Sequence, residues 1–229
     1  MNSNLSFITN EENQSLQQRF RTLIKDTSFF DCLVGYFYSS GFYAVYPALE
    51  NTEKIRILIG ISANWQTFDI LEQANRQSES VSHFSHAETK QEIENLVEKE
   101  MADSEDNRNV EDGVHTFIDW IKKGKLEIKA YPSQKIHAKL YIMTFKEGDR
   151  DTGRVITGSS NFTQSGLVDN LEFNVELQRP EDYNFALKKF NELWESAVDV
   201  SEKYVQTIQE KTWLTQNISP YQLYLKFLY

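Results

Sequence analysis

Two short, dense apolar runs constrain the fold more than any other part of the chain. Residues 29–37 read FFDCLVGYF and residues 54–61 read KIRILIGI. Both are too short to cross a bilayer and both read as buried strands. Residues 41–49 between them read as a short helix. Parallel neighbours need a crossover connection, so strand, helix and strand in this order predict a βαβ unit and a parallel sheet. Ahead of it, residues 11–26 place Leu16, Phe20, Leu23 and Ile24 on one side of an amphipathic helix.

The second half turns to β patterning. Residues 125–131 alternate, residues 136–145 are strongly apolar, and residues 154–157 and 171–177 follow as further strands. The polar stretch 147–153 (EGDRDTG) reads as a hairpin connection. Helices are expected over 88–101, over 113–122 with Gly124 as the stop, over 181–198 and over 201–211. Residues 64–85 give no clear period. Pro220 opens a last aromatic helix in which the sequence ends, which suggests a piece of a longer protein. The expected class is α/β, a mixed sheet with helices on both faces. Residues 1–200 are expected to form the domain and residues 201–229 a helical extension leading to a downstream region.

The chain is 40% hydrophobic and 13% aromatic, enough for a substantial core. The N-terminus lacks the basic start and apolar stretch of a signal peptide, and one cysteine, Cys32, excludes an internal disulfide framework. A cytoplasmic protein is the expectation. A net charge of −10 argues against a protein that coats DNA over its whole surface. The charge is uneven, however: residues 88–112 carry a net −7, and residues 122–146 a net +6 from seven lysines and Glu127. Those lysines either form a docking strip for a polyanion or simply solvate strand edges and turns, and the cluster taken alone favours the second.

Chemistry concentrates after residue 136. His137 and Lys139 are two apart in an expected strand, so they share a face, with Tyr141 and Met143 continuing it. A polar pair at the head of an apolar strand needs partners, because burying it alone would cost roughly 1–3 kcal/mol for the hydrogen-bonding groups and more for the charge. The next strand runs into Gly158-Ser159-Ser160-Asn161. Glycine permits a sharp turn and close ligand approach, and two hydroxyls and a carboxamide suit phosphate oxygens. Glu172 follows 11 residues after Asn161, at the start of the next expected strand. His83 and His86 have metal-like spacing but no convincing third ligand. His115 has no lysine partner. Asn64-Trp65 could reach a pocket rim or cap the core.

His137-x-Lys139 followed by Gly158-Ser159-x-Asn161 and Glu172 resembles the HKD motif of the phospholipase D superfamily, in the form carried by its single-motif bacterial nucleases. The family aspartate, five residues after the lysine, is replaced by Thr144. Residues 35–37 and 39–42 resemble the first strand and turn of phospholipase D-like domains found N-terminal to helicase-like and restriction-type proteins. Residues 219–229 resemble the linker into such a helicase. The resemblance implies a phospholipase D-like mixed sheet and a homodimer that completes the active site. It also implies cleavage of DNA through a phosphohistidine, with no metal or other cofactor.

In that reaction His137 is the nucleophile, and a second histidine protonates the leaving alkoxide and then activates water. Lys139, Asn161 and Ser159 hold the non-bridging oxygens, with Gly158 and Ser160 beside them. Glu172 fixes the imidazole tautomer of its own chain or the partner's. Tyr36 and Ser39 line the pocket by analogy, although core packing is the safer reading for Tyr36. Only His137 has the HxK setting, so two chains must meet, with a single DNA strand threading the seam. The rival readings are a non-catalytic module that dimerises and positions a fused motor on DNA, and a hydrolase of phospholipids or small phosphodiesters.

Overall fold

A computed structural model gives the fold, and the residues it describes are 7–11, 15–35, 37, 39–60, 87, 90, 91, 94, 108–131, 136–149 and 151–211. In chain order the elements are β1 (Phe7–Ile8), α1 (Leu16–Leu23) with a 3-10 turn (Ile24–Asp26), β2 (Thr27–Val34), α2 (Ser39–Leu49) and β3 (Lys54–Gly60). Then come α3 (Arg108–Lys122), β4 (Leu126–Tyr131), β5 (Leu140–Phe145), β6 (Gly153–Gly158) and a π-helical turn (Ser165–Asp169). The last are β7 (Asn174–Leu177), α4 (Pro180–Glu195), β8 (Val198–Asp199) and α5 (Ser201–Lys211).

The strands form one sheet in the order β1-β7-β6-β5-β2-β3-β4-β8. β2, β3 and β4 are parallel, as the strand–helix–strand pattern required. β5, β6, β7 and β1 extend the sheet antiparallel on one side, and β8 adds an antiparallel edge on the other. β2 and β3 lie in the middle with helices on both sides, which is why they read as continuous apolar runs rather than alternating ones.

The two faces are unequally covered. Phe30, Cys32, Val34, Ile55, Ile57, Tyr141, Met143 and Ile156 point to one face. There they meet Leu16 and Phe20 of α1, Phe42 and Val45 of α2, Val114 and Phe117 of α3, and Tyr204 and Ile208 of α5. Leu33, Leu58, Ile142 and Val155 point to the other, against Tyr183, Ala186, Phe190 and Trp194 of α4. The helix after residue 200 therefore packs into the main core. Burial pushes the Cys32 thiol well above its ordinary pKa, as for a small core residue, with the charge of Asp31 adding to the effect.

The element starts and ends follow local chemistry. Ser15 accepts from the Gln18 N–H at the head of α1. Gly124, at φ 69°, ends α3. Pro180 with Glu181 and Asp182 opens α4. Three expected strands are trimmed: β2 ends at Val34, β5 begins at Leu140 and β7 begins at Asn174. The helix expected to reach residue 198 ends at Glu195, because Val198 and Asp199 pair with Ala130 and Lys129 as an edge strand. Of the helix expected over 88–101, positions 90, 91 and 94 are helical. His83, His86, Asn64, Trp65, Tyr36 and residues 212–229 lie outside the described residues.

One ion pair sits under α4. Asp31 of β2 is 1% exposed and is gripped by Arg56 of β3 through two bonds of 2.6 and 2.7 Å. Arg56 also donates to Asn191 and lies over the Phe190 and Trp194 rings. Burial raises the Asp31 pKa, and Arg56 opposes that rise. Removing the cation from such a pair leaves an uncompensated buried charge. Arg56→Met is expected to cost about 3–5 kcal/mol in urea unfolding, against less than about 1 kcal/mol for Lys123→Ala in the exposed Lys123–Asp119 pair. Equal costs would contradict this account of the pair.

Candidate active site

The sheet register gathers the expected site residues at one end of the strands. Leu33 pairs with Leu140, Leu140 with Thr157, and Thr157 with Val175. The C-terminal ends of β2 and β6 therefore meet the N-terminal ends of β5 and β7. His137 and Lys139 lie in residues 136–139, immediately before β5, with His137 exposed and Lys139 half-exposed. Within β5 the expected alternation holds: Tyr141 and Met143 face one layer, Leu140 and Ile142 the other. Two bonds shape the approach to β5. Thr157 Oγ1 donates to the Lys139 carbonyl at 2.8 Å, and Lys139 Nζ donates to the His137 carbonyl at 3.1 Å.

Ser159 and Glu172 lie at the same end of the sheet, after β6 and before β7. The Ser159 N–H donates to the Phe173 carbonyl at 3.1 Å, and Phe173 N–H donates to Ser159 Oγ at 3.0 Å. Ser159 Oγ in turn donates to the Glu172 carboxylate. A serine held from both sides thus fixes the carboxylate beside the end of β6. Glu172 lies near enough to Tyr141 to help raise its phenol pKa, after the larger effect of burial and the contribution of Cys32.

Ser160 behaves differently from its neighbour. It is fully buried, and its Oγ accepts from Asn174 Nδ2 at 2.8 Å while its N–H donates to Asn174 Oδ1 at 3.3 Å. Tyr141 Oη donates to the Ser160 carbonyl at 2.8 Å. Ser160 therefore belongs to an internal polar knot with Asn174 and Tyr141, and not to a surface that meets substrate. Gly158 is exposed, yet a Cβ there would stand 2.2 Å from the Phe173 carbonyl. The crossing of β7 alone demands a glycine at that position.

Asn161 is half-exposed, and its Oδ1 lies 3.7 Å from where a Cβ on Gly35 would stand, just past the end of β2. The Asn161 loop is seated on α2. Phe37 bridges to Phe162, with their rings stacked 5.6 Å apart, and Gly41 packs on the Phe162 carbonyl. Ser39 opens α2 at this end of the sheet; its side chain is outside the described set. Thr144, where the family aspartate would stand, bonds Tyr183 Oη of α4 at 2.8 Å, so its hydroxyl ties β5 to α4. His115 lies exposed on α3.

The lysine-rich segment does not form one strip. Lys122, Lys123, Lys125 and Lys146 flank strand ends remote from His137, given the directions of β4 and β5. Lys123 pairs with Asp119, while Lys125 donates to the Glu50 carbonyl and lies 3.9 Å over the Trp120 ring. Burial lowers the Lys125 pKa. Lys129 donates to the Trp194 carbonyl beneath α4. Of the described lysines in that segment, Lys139 stands with the site.

Sequence reading missed Asn174 and the N-terminal residues Thr9 and Asn10, which contact this region. For Asn174 a signal existed: an amide in the middle of an apolar strand needs internal partners. Ser160→Ala would strip the Asn174 amide of its buried acceptor, an expected loss of about 1–3 kcal/mol in urea unfolding. Ser159→Ala, at an exposed position, should lose less than about 1 kcal/mol. The reverse order would contradict the assignment of the two serines.

Residues 39–194 match the profile of the family described as cardiolipin synthase, PLD-like domain. No curated protein matches the chain. Similar solved structures include TrmBL2, an archaeal chromatin protein with a novel mode of DNA binding, at 14% identity and TM-score 0.41 over 85% of this chain and 53% of that one. Nuc from Salmonella typhimurium, a phospholipase D family member, is 14% identical with TM-score 0.46 over 84% of this chain and 95% of that one. Phosphatidylserine synthase from Haemophilus influenzae Rd KW20 is 15% identical with TM-score 0.49 over 97% of this chain and 44% of that one. The chain thus spans about half the length of the first and less than half of the third.

Proposed function

The chain belongs to the PLD-like domain family of the cardiolipin synthase type, and from that premise we propose that it is a metal-independent phosphodiesterase that cleaves DNA as a homodimer. The observation that carries this reading is the gathering of His137-x-Lys139, Asn161 and the Ser159–Glu172 pair at one end of the sheet, from three different chain segments. Structural needs alone do not account for an exposed histidine and a serine-braced carboxylate there.

In the proposed reaction an imidazole nitrogen of His137 attacks phosphorus and forms a P–N bond. The P–O bond to the leaving alkoxide breaks, and the partner's His137 gives that alkoxide a proton. The partner's His137 then takes a proton from water, the water oxygen bonds to phosphorus, and the P–N bond breaks to restore the free imidazole. Lys139 supplies a positive charge and Asn161 a neutral donor toward the non-bridging oxygens, while the one hydroxyl hydrogen of Ser159 stays on Glu172. Glu172, braced by Ser159, orients the imidazole of its own chain or the partner's. One HxK histidine per chain makes the second copy necessary. The residues that resemble helicase-associated domains support a place within a larger helicase- or restriction-type protein.

A second reading is phosphatidyl chemistry. Leu171 and Phe173, 64% and 62% exposed, flank Glu172 and would suit an apolar substrate. The test compares single- and double-stranded DNA with phosphatidylglycerol vesicles, all in EDTA. Cleavage of DNA is expected, with His137→Ala slower by about 10³-fold or more and Lys139→Ala close behind. Faster turnover of the vesicles would favour the second reading. A purified dimer that leaves every DNA form intact in EDTA would remove the nuclease reading and favour a DNA-positioning module.

A further inference from the structure

Residues 161–172 carry two of the site's functional groups, Asn161 and Glu172, and contain neither an α-helix nor a strand. Their one regular element is the π turn at Ser165–Asp169, closed by the Asn170 N–H on the Ser165 carbonyl at 2.8 Å. Single π turns are rare and recur at functional sites, and their wide rings give weak intrinsic stability. A segment of this kind needs ties from elsewhere to hold two side chains in register.

The N-terminal residues supply those ties. Asn10 is the described non-glycine residue with positive φ, at 61°, a conformation that asparagine tolerates better than most side chains. Its Nδ2 donates to the carbonyls of Gly166 and Asn170, both at 3.0 Å, so one amide bridges the two ends of the π turn. Its Oδ1 accepts from the Leu16 N–H at 2.8 Å, which anchors the bridge to the start of α1. One residue earlier, the Thr9 carbonyl accepts from the Glu172 N–H at 3.3 Å.

The turn that Asn10 holds bears directly on Asn161. A Cβ on Gly166 would lie 2.4 Å from the Asn161 carbonyl, so the turn is stacked on that backbone. Thr163 completes the stack. Its N–H donates to the Asn161 carbonyl at 2.9 Å, its Oγ1 accepts from the Gly166 N–H at 3.0 Å, and its carbonyl accepts from the Leu167 N–H at 3.0 Å. The path from Asn10 to Asn161 is thus two short links, and the path from Thr9 to Glu172 is one.

We infer that Asn10 is a positioning residue: with Thr9 it clamps the Asn161 loop and the Glu172 segment into the geometry that turnover requires. This rests on the phosphodiesterase reading of the site. The strained backbone at Asn10 is maintained because both donors and the carbonyl oxygen of its side chain are engaged at once.

Asn10→Asp separates this role from a merely structural one. The aspartate keeps an oxygen for the Leu16 N–H, but it presents a second oxygen to the Gly166 and Asn170 carbonyls in place of two donated hydrogens. If Asn10 served only the start of α1, Asn10→Asp would match the wild type. The clamp predicts instead that kcat falls about ten- to hundredfold with KM changed less than about threefold, as for a misplaced reacting group. It also predicts faster amide exchange at Leu167, Asn170 and Glu172, and the same behaviour in Asn10→Gly, which relieves the positive φ but lacks the amide. Wild-type exchange at those three amides in both variants would overturn the clamp. So would wild-type kcat. A wild-type protein without turnover would count against the phosphodiesterase reading alone, and amide exchange would still decide the clamp.

Discussion

Strand register is the constraint on which the rest of this structure depends. The row Leu33, Leu140, Thr157 and Val175 crosses four strands, of which β2 is far in sequence from the other three. It places the residues before β5, after β6 and before β7 at one end of the sheet. A slip of one residue in any pair would turn buried side chains outward and carry the polar groups to the wrong face. The register is held by large side chains on both faces and, between β2 and β3, by the buried Asp31–Arg56 pair.

Around that frame the polar groups divide into two sets. Tyr141, Ser160 and Asn174 bond one another inside the protein and join β5, β6 and β7 beneath the site. His137, Lys139, Ser159 and Glu172 lie above them, in contact with solvent to different degrees. The inner set is satisfied internally, so it gives rigidity without competing for a ligand. The outer set contains the groups with chemistry to offer. The two serines of one tripeptide fall on opposite sides of this division, because successive residues leaving a strand point in opposite directions.

The central architecture was legible in the sequence because its signals are local. Apolar runs, the intervening helix, Gly124 and the polar hairpin after Phe145 all act over a few residues, and each appears within a few residues of its expected bounds. The HxK and GSxN spacings were legible for the same reason. What escaped the reading depends on distant partners. β1 and β8 are two-residue edge strands whose pairing is decided by β7 and β4. Asn10 looks like any polar residue until the turn 156 residues away is in place. The lysine-rich segment follows the blander of its two readings, lysines at strand edges and turns, because net charge along a sequence says nothing about which strand ends its members flank.

The central claim is chemical: His137 forms the bond to phosphorus. The most direct measurement is to quench the full chain during turnover of DNA in EDTA and locate any phosphorus-linked adduct by peptide mass spectrometry. The account predicts an acid-labile adduct on the peptide containing His137, missing in His137→Ala. Robust cleavage with the adduct on another residue, or with none formed under conditions that preserve phosphohistidine, would contradict it.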